Sequence, residues 1–144
     1  MKKGPQDERI ESILGENVDS DFDQAVEAFY EYIKAHLLLP CEVTGIEDFR
    51  WEEFYVLGPG SKREYDQFKK TQPSYRDRYT LFDISRGTES QWMLFPGEDI
   101  VAHVRRLSDG KEFCLGLAEF RTTDRKSENY QLLDDYSVWF VNSR

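Results

Sequence analysis

The sequence predicts an α+β fold in which an N-terminal helix packs on a small, SH3-like antiparallel β-barrel or strongly bent sheet. Two observations favour this class. One amphipathic helix comes early in the chain, and short apolar segments separated by Gly and Pro turns follow it. The last segment, 136–142, is rich in aromatic and β-branched residues. A terminal strand this apolar must pair inside a sheet, so the preceding segments are expected to receive it.

The length of 144 residues predicts a single domain spanning 1–144, with 1–19 as either a flexible N-terminal tail or a short first helix. No apolar run approaches the ~20 residues of a membrane span. The charged start leads to no signal-peptide apolar region, so a cytoplasmic location is expected. Cys41 and Cys114 are then expected to be buried thiols, since their separation fits neither a zinc motif nor a redox pair.

The net charge of −9 is concentrated in one part of the chain. Residues 16–53 hold eleven acidic and two basic residues, which accounts for the whole net charge. Such a field repels nucleic acid and anionic membranes, whereas it attracts divalent cations or a basic protein partner. The simpler alternative is a solvated acidic surface that keeps the protein soluble.

Residues 21–37 are predicted to form the helix. Ser20 is suited to cap its start, and Pro40 ends it. Acidic residues crowd the first turn and basic residues lie near the end, as the helix dipole prefers. The apolar stripe consists of Phe22, Val26, Phe29, Ile33 and Leu37.

After Pro40 the pattern changes to that of strands. The segment 61–78 between them is charged and turn-rich, and it can support a short helix. Strands are predicted at 42–46, 52–57, 80–84 and 91–95.

A hairpin is predicted next, from the alternation of apolar and polar residues over 99–107 and 113–117. Asp109-Gly110 lies between the two arms and favours the positive φ angles of a primed turn. The adjacent pair Arg105-Arg106 is expected to be solvated. A short turn at 117–120 and a polar loop then lead to the terminal strand.

Three aspartates, Asp19, Asp21 and Asp23, have the spacing that begins an EF-hand loop. That loop also needs Gly at its sixth position and Glu at its twelfth, where this chain has Gln24 and Tyr30. The better interpretation is that carboxylates gather at a helix N-terminus, where the dipole stabilises them.

A bent loop after the first strand is a stronger candidate for a cation site. It places four carboxylates within seven residues, and a bend can direct side chains and carbonyls at one point. Calcium needs such convergence because it takes six to eight oxygen ligands. The two carboxylates at the start of the terminal strand can add ligands if that strand lies alongside. The predicted metal ligands are Glu47, Asp48, Glu52, Glu53, Asp134 and Asp135.

The alternative for this loop is purely structural. In it, Arg50 neutralises one or two of the acids while Phe49 and Trp51 anchor the loop. Catalysis finds little support, because neither His36 nor His103 has a sequence signature of a triad or a metal triplet. The chain is therefore predicted not to be an enzyme.

The C-terminal third resembles a known family. The segments that carry the resemblance are Asp99-Ile100-Val101-Ala102-His103-Val104, Phe113-x-Leu115-x-Leu117-x-x-Phe120 and the closing Asn129–Asn142 stretch. They are similar to the small acidic calcium-binding proteins first known from cyanobacteria, the CcbP family, and Leu39–Thr44 also looks similar to its early strand. The resemblance implies Ca²⁺ binding through surface carboxylates without EF-hands, in a buffering or sensing role, and only Asp134-Asp135 falls on its motif.

Two hypotheses follow. The first is a non-enzymatic calcium-binding protein whose clustered carboxylates hold one or two ions. The second is an acidic SH3-like interaction module that binds a basic protein partner. Neither involves nucleic acid or a membrane.

Overall fold

The structure is a computed structural model that describes residues 4–15, 21–87 and 92–143. These residues contain five α-helices and a five-stranded antiparallel sheet, which is the predicted α+β class. Among the described helices, none is both long and apolar enough to cross a bilayer. The helices are α1 (Pro5–Leu14), α2 (Phe22–His36), α3 (Glu53–Val56), α4 (Lys62–Phe68) and α5 (Glu128–Ser143), with 3-10 turns at Arg50–Glu52 and Leu117–Glu119.

The early helix is confirmed as α2. Its cap is Asp21, whose carboxylate accepts a hydrogen bond from the Gln24 backbone N–H at 2.8 Å. The predicted cap, Ser20, lies outside the described residues. Of the two alternatives for the N-terminal segment, α1 shows that residues 5–14 form a short first helix.

The sheet has the strand order β4-β3-β2-β1-β5, and every neighbouring pair is antiparallel. In the described residues β4 and β5 are edges that do not pair, so the sheet is not closed and the expected SH3-like barrel is not confirmed. The apolar face is instead covered by α1, α2 and α5, which share one core with it. The strands are β1 (Cys41–Gly45), β2 (Arg78–Ser85), β3 (Val101–Arg106), β4 (Glu112–Gly116) and β5 (Phe120–Thr122).

The predicted terminal strand is wrong, because that segment lies in α5. The buried side chains of Asn129, Leu133, Tyr136 and Phe140 recur every three or four residues, the period of a helix. The Ser127 hydroxyl accepts from the Asn129 N–H at 3.0 Å at the helix start. Helix-to-helix packing overrides the strand preference of the aromatic residues: the ring centroids of Phe29 and Tyr136 lie 5.3 Å apart, and those of Phe22 and Trp139 lie 5.4 Å apart.

Two further strand predictions are wrong. Residues 52–57 form the end of a 3-10 turn and α3, since Phe49 and Glu52 are both buried at helical spacing while Leu57 is exposed. In 91–95, Gln91 lies outside the described residues and the rest forms turns. The Phe95 carbonyl accepts from the N–H groups of the residues three and four positions later, each at 3.2 Å, as in a turn.

The predicted hairpin is confirmed as β3–β4, with two corrections. In the turn, Gly110 has a positive φ of +76° but Asp109 does not, whereas a type I′ turn needs two such residues. Arg105 is solvated, but Arg106 is buried and ion-paired with Asp77 and Asp109, at 3.0 and 2.8 Å. Its guanidinium also donates to the carbonyls of Lys69, Lys70 and Gln72.

Candidate functional site

The loop that follows β1 is fixed at its start by close backbone contacts. The Gly45 N–H donates to the Tyr75 carbonyl at 3.0 Å, and the Ile46 N–H donates to the Glu119 carbonyl at 2.9 Å. A Cβ at Gly45 would lie 2.6 Å from the Cβ of Tyr75, so only glycine permits this approach. The loop therefore leaves the sheet in one defined direction.

Glu52 is the internal anchor of this loop. Its side chain is fully buried, and four donors surround it. One oxygen accepts from the backbone N–H groups of Phe49 (3.3 Å) and Tyr75 (2.8 Å). The other accepts from the hydroxyls of Tyr65 (2.5 Å) and Ser74 (2.7 Å). Four bonds use the acceptor capacity of a carboxylate, so Glu52 has no oxygen left to direct at an ion.

The contact with Glu52 also affects Tyr65. Burial, followed by the hydrogen bond to the carboxylate, raises the pKa of the Tyr65 hydroxyl well above its usual range. The hydroxyl therefore stays protonated at physiological pH and keeps donating to Glu52. The pair ties the loop to α4, while Ser74 and Tyr75 tie it to the segment before β2.

The other three carboxylates of the loop are directed differently. Glu47 and Glu53 are exposed and Asp48 is half-buried. Within the part of the chain that the structure describes, no hydrogen bond or ion pair engages their side chains. These three are the loop residues that can reach a cation in solution.

The structural alternative for the loop is half confirmed. Phe49 is buried against Phe120, with ring centroids 5.8 Å apart, and the Trp51 indole N–H donates to the Pro73 carbonyl at 2.6 Å. Both aromatic residues therefore anchor the loop. Arg50 is exposed and forms no ion pair with the acids in the described residues, so it does not neutralise them.

Asp134 and Asp135 lie on α5 and face α1. Asp135 is 2% exposed and accepts from Arg9 through Nε at 2.8 Å and Nη2 at 3.0 Å. The Gln6 amide donates to both carboxylates, each at 3.0 Å. The hydrogen bond to Asp135 raises the pKa of Arg9 further, so the guanidinium stays charged. This pair is already compensated by α1.

The structure therefore does not bring the six predicted ligands together. Four lie on the loop, where one is buried, and two lie on α5 with partners of their own. No group of three or more His, Cys, Asp or Glu side chains among residues 4–15, 21–87 and 92–143 is placed to hold a metal ion. A cation bound by any of these six residues would require their side chains to move closer together.

The acidic start of α2 is not an EF-hand. Asp21 caps the helix, and Asp23 forms an ion pair with Arg86 at 3.0 Å. Asp19 lies outside the described residues. The interpretation as carboxylates at a helix N-terminus is confirmed for the two described residues.

Sequence reasoning missed a pair of neighbouring carboxylates, the buried Asp99 and the half-buried Glu119. Asp99 accepts from the N–H groups of Ile100 (2.7 Å) and Ala118 (3.1 Å) and from the Tyr136 hydroxyl (2.6 Å). Burial raises the pKa of Asp99 to about 7. Burial and then the charge of Asp99 raise the pKa of Glu119 to about 8. The two meet over Gly116, where any Cβ would collide with both.

Two solved structures have a fold similar to that of this chain over nearly its whole length. CcbP of Anabaena matches with a TM-score of 0.57 at 15% identity, over 100% of this chain and 97% of that one. A calcium-binding protein in its calcium-binding form matches with a TM-score of 0.56 at 13% identity, over 98% of this chain and 93% of that one.

The resemblance to CcbP that the sequence segments indicated is thus confirmed at the level of the fold. No protein-family model matches the sequence, and no curated protein matches it. At such identities the likeness shows the fold alone. Any activity of this chain has to be argued from its own residues.

Proposed function

We propose that this chain is a non-enzymatic calcium-binding protein that uses surface carboxylates rather than an EF-hand, as a buffer or a sensor. One observation carries the proposal. Glu47, Asp48 and Glu53 lie on a bent loop that is held firmly from inside, and no hydrogen bond or ion pair among the described residues compensates them. The fold likeness to CcbP of Anabaena and to a calcium-binding protein in its calcium-binding form supports it.

The chemistry of the loop suits a hard cation. Three carboxylates supply up to six oxygens, and backbone carbonyls and water complete the six to eight ligands that calcium takes at about 2.3–2.6 Å. Because the acids repel one another, an ion between them also relieves that repulsion. Glu52 and Gly45 fix the ends of the loop, so binding requires only local movement of Glu47, Asp48 and Glu53.

In this proposal the six predicted residues have different roles. Glu47, Asp48 and Glu53 contact the ion, and Glu52 holds the loop in shape without contacting it. Asp134 and Asp135 form a second, weaker position, because an ion there must compete with the Arg9 guanidinium.

Thermal unfolding with and without calcium tests the proposal. An ion that binds only the folded state stabilises it, by about 2.7 kcal/mol at a concentration one hundred times the dissociation constant. We expect millimolar calcium to raise the Tm of the unmodified protein more than magnesium does. The Glu47→Gln, Asp48→Asn and Glu53→Gln variants should each lose about half of this rise, as a tenfold weaker affinity requires.

The matched control is Glu31→Gln, an exposed position on α2 that loses the same charge outside the loop. It should keep the calcium response. If calcium leaves the Tm unchanged, or if Glu31→Gln removes the response as fully as the loop variants, the proposal is wrong.

The acidic segment 16–53 keeps a second candidate function open, a module that binds a basic protein. It predicts no specific calcium response and an association that weakens with added salt. The same Tm series separates the two candidates, because only the first depends on the three loop carboxylates.

A further inference from the structure

The solvent side of the sheet, opposite the helices, carries a row of three polar side chains from adjacent strands. His103 of β3 lies directly opposite Cys114 of β4 in the strand register, and Ser85 of β2 reaches the same imidazole from the other side. All three side chains are half-buried. Their neighbours along the strands, Ala102 and Leu115, are buried in the core under the helices.

The imidazole is held between two partners. The Ser85 Oγ lies 2.7 Å from Nε2 of His103, and the Cys114 Sγ lies 3.5 Å from Nδ1. When the ring proton is on Nε2, it is donated to Ser85 and the lone pair of Nδ1 faces the sulfur. Histidines that bind metals are commonly oriented in this way, through a hydrogen bond from the ring nitrogen that does not contact the metal.

The separation of sulfur and nitrogen fits a metal bridge. A tetrahedral ion with a metal–sulfur bond of about 2.3 Å and a metal–nitrogen bond of about 2.0–2.1 Å holds the two atoms about 3.5 Å apart. This is the distance between Sγ and Nδ1 in the structure. An ion can therefore enter between the two side chains with little movement of either.

We propose that Cys114 and His103 form a binding site for a borderline or soft divalent cation such as Zn²⁺, with Ser85 as the positioning residue. The thiol proton leaves to solvent as the metal–sulfur bond forms, and water fills the other coordination positions. Two protein ligands make an open, exchangeable site rather than a closed structural one. The site is independent of the proposed calcium loop, because calcium prefers oxygen ligands.

A nucleophilic Cys–His pair is the competing interpretation of the same geometry. It requires a thiol whose pKa is lowered. The Sγ–Nδ1 distance of 3.5 Å suits a metal bridge, and only the metal site predicts a cobalt–thiolate band that Zn²⁺ removes.

Cobalt titration of the reduced full chain tests the proposal, because a thiolate bound to Co²⁺ gives a near-ultraviolet charge-transfer band. We expect a band that saturates at one cobalt per chain, that Zn²⁺ removes and that calcium leaves in place. Cys114→Ser should abolish the band, His103→Gln should weaken cobalt binding at least tenfold, and Cys41→Ser should keep it. Absence of the band, or its survival in Cys114→Ser, would overturn the proposal.

A second measurement uses the unmodified protein, so its result does not depend on whether a variant folds. Zn²⁺ should protect Cys114 from alkylation and leave Cys41 unprotected, as mapped by mass spectrometry. Equal alkylation of Cys114 with and without Zn²⁺ would contradict the site. Ser85→Ala should weaken metal binding about tenfold while the Tm of the metal-free protein stays unchanged, and Ser85→Thr, which keeps the hydroxyl, should restore binding.

Discussion

Adjacent carboxylates occur in two regions of the molecule, the loop after β1 and the acidic pair on α5. The two regions differ in the groups that compensate the negative charge. Asp135 is buried beside the Arg9 cation, and Glu52 is buried among four uncharged donors. Glu53, the next residue after Glu52, has neither kind of partner among the described residues. An acidic cluster in the sequence therefore does not define a cation site. Only the acids whose carboxylates have no hydrogen-bond or ion-pair partner in the fold are available to bind a cation.

Replacing Glu52 should lower the free energy of unfolding far more than replacing its neighbour Glu53. Glu52→Ala leaves four buried donors without an acceptor, so we expect it to lower the free energy of unfolding by about 3–5 kcal/mol. Glu53→Ala is the matched control and should change it by less than about 0.5 kcal/mol. Urea denaturation of both variants measures the difference. Equal losses would show that Glu52 is not the internal anchor.

Asp99 and Glu119 are a third pair of carboxylates, and among the described residues no cationic side chain is hydrogen-bonded to either of them. The folded protein holds protons on this pair up to about pH 7–8, whereas the unfolded chain loses them near the ordinary values of 3.8 and 4.5. The folded state then binds more protons than the unfolded state, so the pair's contribution to stability falls as pH rises from about 4 to about 8. Above that range it is constant.

Asp99→Asn should flatten this dependence. We expect the difference in unfolding free energy between Asp99→Asn and the unmodified protein to shift by about 2–4 kcal/mol between pH 4 and pH 8, in favour of the variant at high pH. Denaturation curves at several pH values give this difference, in which the other titrating groups cancel. A difference that stays constant with pH would show that the pair does not take up protons on folding.

Arg9→Met removes the cation that compensates the acidic pair on α5. It leaves Asp135 buried without its cation, and because the Arg9 side chain is 37% exposed we expect a moderate loss of about 1–2 kcal/mol. Calcium should restore part of this loss by taking the place of the guanidinium beside Asp134 and Asp135. Thermal unfolding with and without calcium measures both effects. Arg125→Met, at an exposed position, is the control and should show neither.

The smallest effects on stability belong to the exposed loop acids. Glu47→Gln and Glu53→Gln should each change the unfolding free energy by less than about 0.5 kcal/mol. Each should nevertheless weaken calcium binding about tenfold, because the affinity of a calcium site follows the number of charged ligands. Isothermal titration calorimetry provides the affinities. Unchanged affinity in both variants would move the site away from the loop.

The sequence predicted best where a local pattern decides the structure. The apolar stripe of α2 and the alternation in β3 and β4 each determine one face, and both elements form as expected. The prediction of a strand at 136–142 failed because it relied on the strand preference of the aromatic residues there. In the structure these aromatic side chains pack against Phe22 and Phe29 of α2, and this packing favours a helix. Because this segment is helical, the predicted barrel lacks the strand that was expected to close it.

The candidate sites depended on contacts between distant parts of the chain. Glu52 meets Tyr65 and Ser74 only after folding, so no local pattern distinguishes it from Glu53. The same holds for Asp135 and Arg9, which are separated by 126 positions. The sequence could therefore indicate which residues carry charge, but not which of them the fold had already paired.

Titration of the metal-free protein with calcium, followed by backbone NMR shifts with magnesium as the comparison ion, decides whether the loop binds calcium. A calcium site on the loop predicts saturable shifts centred on residues 47–53, weaker with magnesium, with little change at 134–135 unless Arg9 is replaced. Small, uniform shifts that are equal for the two ions would mean only diffuse screening of the acidic segment. That result would contradict a calcium site on the loop.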